Sequence, residues 1–179
     1  MKKLLTTAAL AMSLSSTAFA NTGNIEFYGT ITSGTCSIEI VDPATGGKLD
    51  RVSMGNVASG RFTAVGSESN LRPFAMRVTP DTGCDTSANK GYVTFKGRFG
   101  STGTGGVLHA LKAGGATNLG LAIKDNSNTL IPNGSESKAY DLDATNPTDM
   151  LFYAAYRATA IPVTAGAANT VVSFDFDLK

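Results

Sequence analysis

The chain is predicted to be all-β, an antiparallel sandwich of short strands. Apolar residues recur at every second position in one segment after another, and Gly, Pro, Asn and Asp turns separate these segments. No stretch carries a convincing helical period, which removes the helical and mixed classes. Twenty glycines, no tryptophan and 16% charged residues in 179 fit a turn-rich fold and do not suggest disorder.

The first element lies outside that fold. Met1, Lys2 and Lys3 precede an apolar run from Leu4 to Leu14 and a small-residue end, Ser15 to Ala20, closing in Ala-Phe-Ala. This is the pattern of a cleaved signal peptide over residues 1–20, so the chain is expected to be exported and to mature at Asn21. The run is shorter than the roughly 20 residues of a membrane span, and no later segment approaches one. Residues 21–179 carry 13 basic and 14 acidic side chains. That near-neutral balance argues against nucleic acid or an anionic membrane as partner.

Ile25 to Thr35, I-E-F-Y-G-T-I-T-S-G-T, opens the mature chain with a strand pattern. Ile25, Phe27 and Ile31 share one face with a notch at Gly29, while Glu26, Thr30 and Thr32 make the other face polar. Cys36 to Val41 continues as a strand, Asp42 to Gly47 is a turn, and the strand resumes at Leu49 to Met54. Gly55 to Gly60 reads as a loop. Asn70 to Thr79 follows with Phe74, Met76 and Val78 on one face, and Pro73 marks its entry or an edge. Pro80 to Gly83 turns the chain before Cys84. After a polar interval, Gly91 to Phe99 is another alternating strand.

Gly100 to Gly106 lacks the Lys-Ser/Thr ending of a phosphate loop and reads as a flexible loop. Leu119 to Lys124 and Thr129 to Pro132 form a hairpin around Asp125-Asn126-Ser127-Asn128. That turn is not a calcium loop, because Leu130 stands where the sharp bend needs glycine. Lys138 to Leu142 is a short strand and Met150 to Thr159 a longer one. Ala160 to Ala168 turns through Pro162 and Gly166. Thr170 to Lys179 closes the chain with Val172, Phe174, Phe176 and Leu178 on one face and Ser173, Asp175 and Asp177 on the other.

Little in this pattern supports chemistry. Cys36 and Cys84 are the two cysteines, and in an exported chain a disulfide is the default over a metal site or a catalytic thiol. One histidine, His109, cannot supply the ligands of a typical zinc or copper site and reads as a surface or satisfied side chain. No G-x-S-x-G elbow is present, and Asp175 with Asp177 reads as a solvated face of a strand, not a glycosidase pair. No enzyme, cofactor or metal is expected. Phe152, Tyr156, Phe174 and Phe176 alternate as core residues, which leaves Tyr28 and Tyr153 as the candidates for exposed rings.

The order of these landmarks resembles the pilin subunits of chaperone-usher fimbriae, of the type 1-like family. The matching residues are I-x-F-x-G-x-I before Cys36, F-A-M-R-V before Cys84, Y-V-T-F-K-G, L-G-L-A-I-K-D, F-Y-A-A-Y and the terminal F-D-F-D-L-K. They span nearly all of the mature chain. The resemblance implies an incomplete immunoglobulin-like β-sandwich that lacks its seventh strand and is completed by a donor strand from another subunit. On that reading residues 21–34 are the donor-strand extension and 35–179 the pilin domain. Ile25, Phe27 and Ile31 would enter groove pockets, with Gly29 at the donor-strand glycine. Val172, Phe174, Phe176 and Leu178 would line the acceptor groove. The Cys36–Cys84 bond would tie the first strand to the second, and the carboxylate of Lys179 would meet a basic cleft of a periplasmic chaperone. The family often has an aromatic residue next to last, where this chain has Leu178.

The resemblance implies a structural fimbrial subunit that polymerises by donor-strand exchange into a surface fibre for bacterial adhesion. Its partners would be neighbouring pilins, the chaperone and an outer-membrane usher, and its route would run through the periplasm to the fimbrium. The alternative is a self-contained secreted β-sandwich that binds a host ligand directly.

Overall fold

The computed structural model describes residues 36–84 and 90–179. The expected signal peptide, the donor-strand extension and Tyr28 lie outside the described residues. Among the described residues ten strands are formed: β1 (Ser37–Val41), β2 (Arg72–Thr79), β3 (Lys90–Gly97), β4 (Ser101–Thr102), β5 (Leu108–Ala110), β6 (Leu119–Asp125), β7 (Leu130–Ile131), β8 (Tyr140–Asp141), β9 (Thr148–Ala158) and β10 (Val172–Leu178). The helical turns among the described residues are two short 3₁₀ turns, Ser59–Arg61 and Thr104–Gly106.

The larger sheet runs β1-β2-β9-β6-β5-β4, with β7 also on β6, and the smaller sheet runs β10-β3-β8. Every pairing is antiparallel. The long strand β9 is central because its alternation is the most sustained. Met150, Phe152, Ala154 and Tyr156 point into the core from one face. Phe74 of β2 stacks on Phe152 with ring centres 5.6 Å apart, and Phe95 of β3 meets Phe152 edge-on at 5.1 Å. These rings join the two sheets and set the thickness of an immunoglobulin-like sandwich.

Cys36 and Cys84 are bonded, fastening the start of β1 beyond the end of β2, where Ser37 pairs with Thr79. Turn chemistry sits where the sequence places it. Asp125 Oδ1 accepts from the Ser127 and Thr129 amides at 2.8 and 3.0 Å, which leaves this turn a hairpin cap.

Four expectations change. Leu49 to Met54 is not a strand. Leu49 N–H donates to Ile40 O at 2.8 Å, and beyond it Val52 and Met54 keep their inward alternation without a neighbouring strand. Gly100 to Gly106 is more than a loop, since it holds β4 and a 3₁₀ turn against β5. His109 is neither at the surface nor satisfied: it is fully buried in β5, with no hydrogen-bond partner for either ring nitrogen among the described residues. Tyr153, on the outer face of β9, is half-buried by its neighbours.

Candidate functional site

β1 pairs only with β2 and β10 only with β3 among the described strands, so each is the free edge of its own sheet. No described strand closes the sandwich between them. The gap is a cavity of about 920 Å³. Its floor is the inner surface of the core, with Phe74, Phe95, Leu121, Ile123 and Tyr156. One wall is the segment 49–57, which leaves β1 and pairs with it only at Leu49, and the other is the segment 163–171 leading into β10.

The second wall is held by its own contacts. Ala116 N–H donates to Ala167 O at 2.9 Å and Lys112 N–H to Asn169 O at 2.8 Å. Thr117 N–H donates to Thr164 Oγ1 at 2.9 Å, and Thr170 Oγ1 to Ala110 O at 2.7 Å. The fit leaves no room at Gly115, where a Cβ would stand 1.9 Å from Ala167 O. Tyr156 fixes the wall to the floor, because its hydroxyl donates to Ala168 O and burial holds that hydroxyl's pKa above its ordinary value.

The face of β10 that the alternation selects divides into two. Val172 and Phe174 line the cavity, and Phe174 is 38% exposed. Phe176 and Leu178 are half-buried and pack against the core beyond the cavity. Lys179 continues the strand. Its amide donates to Lys90 O at 3.1 Å, its ammonium pairs with Glu136, and it lies 4.8 Å from the centre of the Tyr92 ring. Asp175 pairs with Lys96 at 2.6 Å on the wet face, in keeping with a solvated face. Ile25, Phe27, Gly29 and Ile31 lie outside the described residues.

Two features of this site were not read from the sequence. Segment 163–171 reads only as a turn, since Val163-Thr-Ala-Gly-Ala-Ala-Asn-Thr has no period. Leu121 belongs to a fully buried strand, L-G-L-A-I-K-D, whose continuous burial conceals which face meets the gap. An apolar trough between two edge strands, one of them bridged only at Ile40 and Val41 by Leu49 and Lys48, can do one thing well. It can take an extended segment whose backbone pairs with the edges while alternate side chains fill the floor. No group of three or more His, Cys, Asp or Glu placed to hold a metal occurs among the described residues.

Comparison with known proteins gives a consistent pattern. The family model described as Fimbrial protein matches residues 25–179. The probable major fimbrial subunit LpfA of Escherichia coli O157:H7 is 30% identical over 183 residues, covering 100% of this chain and 98% of that one. Among solved structures, a Burkholderia pseudomallei antigen and type I fimbria protein is 27% identical with a TM-score of 0.58, over 80% of this chain and 99% of its own. A subunit from a chaperone-usher pilus has a TM-score of 0.60 over 92% of this chain and 100% of its own; at 18% identity it speaks for the fold alone.

Proposed function

The chain belongs to the fimbrial protein family as a structural subunit of a surface fimbrium, and from that premise we propose that it polymerises by donor-strand exchange. The observation that carries this reading is the open trough between the free edges of β1 and β10. Residues 21–34 of one subunit enter the trough of the next, with Ile25, Phe27 and Ile31 on the floor and Gly29 as the donor-strand glycine between them. Burying those three side chains contributes roughly 5 to 9 kcal/mol at about 1.5 to 3 each. Backbone pairing along both edges adds to that. The pilin domain is then 35–179, and residues 1–20 are a signal peptide removed on the way to the periplasm.

Before assembly the exposed floor needs a temporary cover, because an open apolar trough invites aggregation. A periplasmic chaperone that lends a strand to β10 supplies it, with the terminal carboxylate of Lys179 in a basic cleft, and an outer-membrane usher hosts the exchange. The fibre serves bacterial adhesion. The family is one of structural subunits, and the chain is assigned no enzymatic activity.

The reading is tested on unheated denaturing gels of assembled protein. Wild type is expected to run as a ladder of detergent-resistant multimers, and Gly29→Trp as a monomer. A ladder unchanged by Gly29→Trp overturns the assignment of the donor glycine, and a stable wild-type monomer overturns polymerisation itself.

A further inference from the structure

His109 is the chain's only histidine. It is 0% exposed, and neither ring nitrogen has a hydrogen-bond partner among the described residues. Buried polar groups are normally paired, so an unpaired imidazole between two sheets calls for a reason. Its surroundings offer no compensating charge. Across β4 and β6 it stands opposite Ser101 and Leu121. From the other sheet Gly97 closes on it so tightly that a Cβ there would lie 3.2 Å from Nδ1. Asn133, whose Oδ1 accepts the Gly97 amide at 2.8 Å, is the polar side chain that acts on the ring. The charged residues closest along the chain on these elements, Lys96, Arg98 and Lys112, are exposed.

The position is also a joint of the fold. Gly97 is the last residue of β3 and pairs with Val172, the first of β10. Val172, the partner of Gly97, and Leu121, the partner of His109, both line the cavity. We propose that His109 is an acid-sensitive latch between the two sheets, at the end of the cavity where β10 begins: neutral, it fills the seam, and it takes up a proton only when the seam opens.

Burial holds the imidazole pKa below the ordinary 6.5, with Asn133 acting in the opposite sense and more weakly. Between those two values the unfolded chain binds the proton and the folded chain does not. The stability contributed by the neutral ring is therefore complete above about pH 6.5 and declines as pH falls below it. One proton taken up on opening raises the opening constant by up to about tenfold per pH unit. The latch does not depend on which molecule fills the cavity.

The test is denaturant unfolding of the mature protein, in the assembled or complemented form in which it is isolated, at steps from pH 7.5 to 5.0. His109→Gln and His109→Leu are compared with wild type. The wild-type unfolding constant is expected to rise relative to the variants by up to about tenfold per unit below pH 6.5, with parallel behaviour above it. If neither variant folds, the imidazole of wild type is followed by NMR, where a single histidine gives one signal. That signal is expected to stay neutral below pH 6.5 while the fold is intact and to change only with unfolding. Parallel pH dependence in wild type and variants, or an imidazole that titrates near 6.5 with the fold intact, overturns the proposal.

Discussion

Phe174 and Phe95 stand opposite each other in the β10–β3 pairing, yet Phe95 is 3% exposed and Phe174 38%. The difference comes from the opposing sheet. Phe95 is covered by Phe74 and Phe152, whereas Phe174 is one strand nearer the gap and has nothing above it but the cavity. Phe174→Ser is therefore expected to change the stability of the uncomplemented subunit little, while weakening capture of a donor segment by about 1.5 to 3 kcal/mol. Phe95→Ala should destabilise both states by about 3 to 5 kcal/mol. Denaturant melts with and without donor peptide separate the two outcomes.

Glu68 is the hub of a partly buried ion cluster, 2.6 Å from Lys124 Nζ and 2.8 Å from Arg157 Nε, and the Lys124 side chain is only 9% exposed. Removing the carboxylate leaves a buried ammonium with no counter-charge. Glu68→Ala is expected to cost about 3 kcal/mol in chemical denaturation, and Lys124→Met in the same background should recover much of it. An additive double variant would show that the two groups do not depend on each other.

Asp143 caps the turn before β9. Its Oδ1 accepts from the Thr145 and Asn146 amides at 2.8 and 2.9 Å, and these bonds lower the carboxyl pKa from 3.8 to about 2. A depressed carboxyl contributes stability that is complete above 3.8 and lost as pH falls from there to about 2. Thermal melts between pH 4.5 and 2 should show a smaller acid loss for Asp143→Asn than for wild type.

The Cys36–Cys84 bond spans 48 residues, for which loop entropy implies a stabilisation of roughly 4 kcal/mol. Replacing both cysteines with serine is expected to lower the denaturation midpoint accordingly. It should also weaken donor capture, because β1 has no other strand on its free side.

The strands were legible where a half-buried face imposes alternation. Phe74-Met76-Val78 and Phe152-Ala154-Tyr156 announce both their strands and their inward faces. Alternation reports which residues face inward but says nothing about pairing. That is why Leu49 to Met54 reads as a strand although its pairing with β1 stops at Leu49. Phe174 and Phe176 obey the same alternation, yet only Phe174 looks into the gap, since exposure there depends on where the opposing sheet stops. The burial of His109 leaves no mark in the sequence. A polar side chain in a three-residue strand carries no periodic signal, and its burial follows from Gly97 in the other sheet.

The most direct measurement deletes residues 21–33 from the mature chain and follows its melting temperature with and without a synthetic peptide of that segment. The peptide is expected to raise the midpoint by tens of degrees, as burial of roughly 5 to 9 kcal/mol requires in a domain of this size. Phe27→Arg or Gly29→Trp in the peptide should abolish the rise. A truncated protein that is already stable and indifferent to the peptide would contradict donor-strand completion and leave a self-contained sandwich in its place.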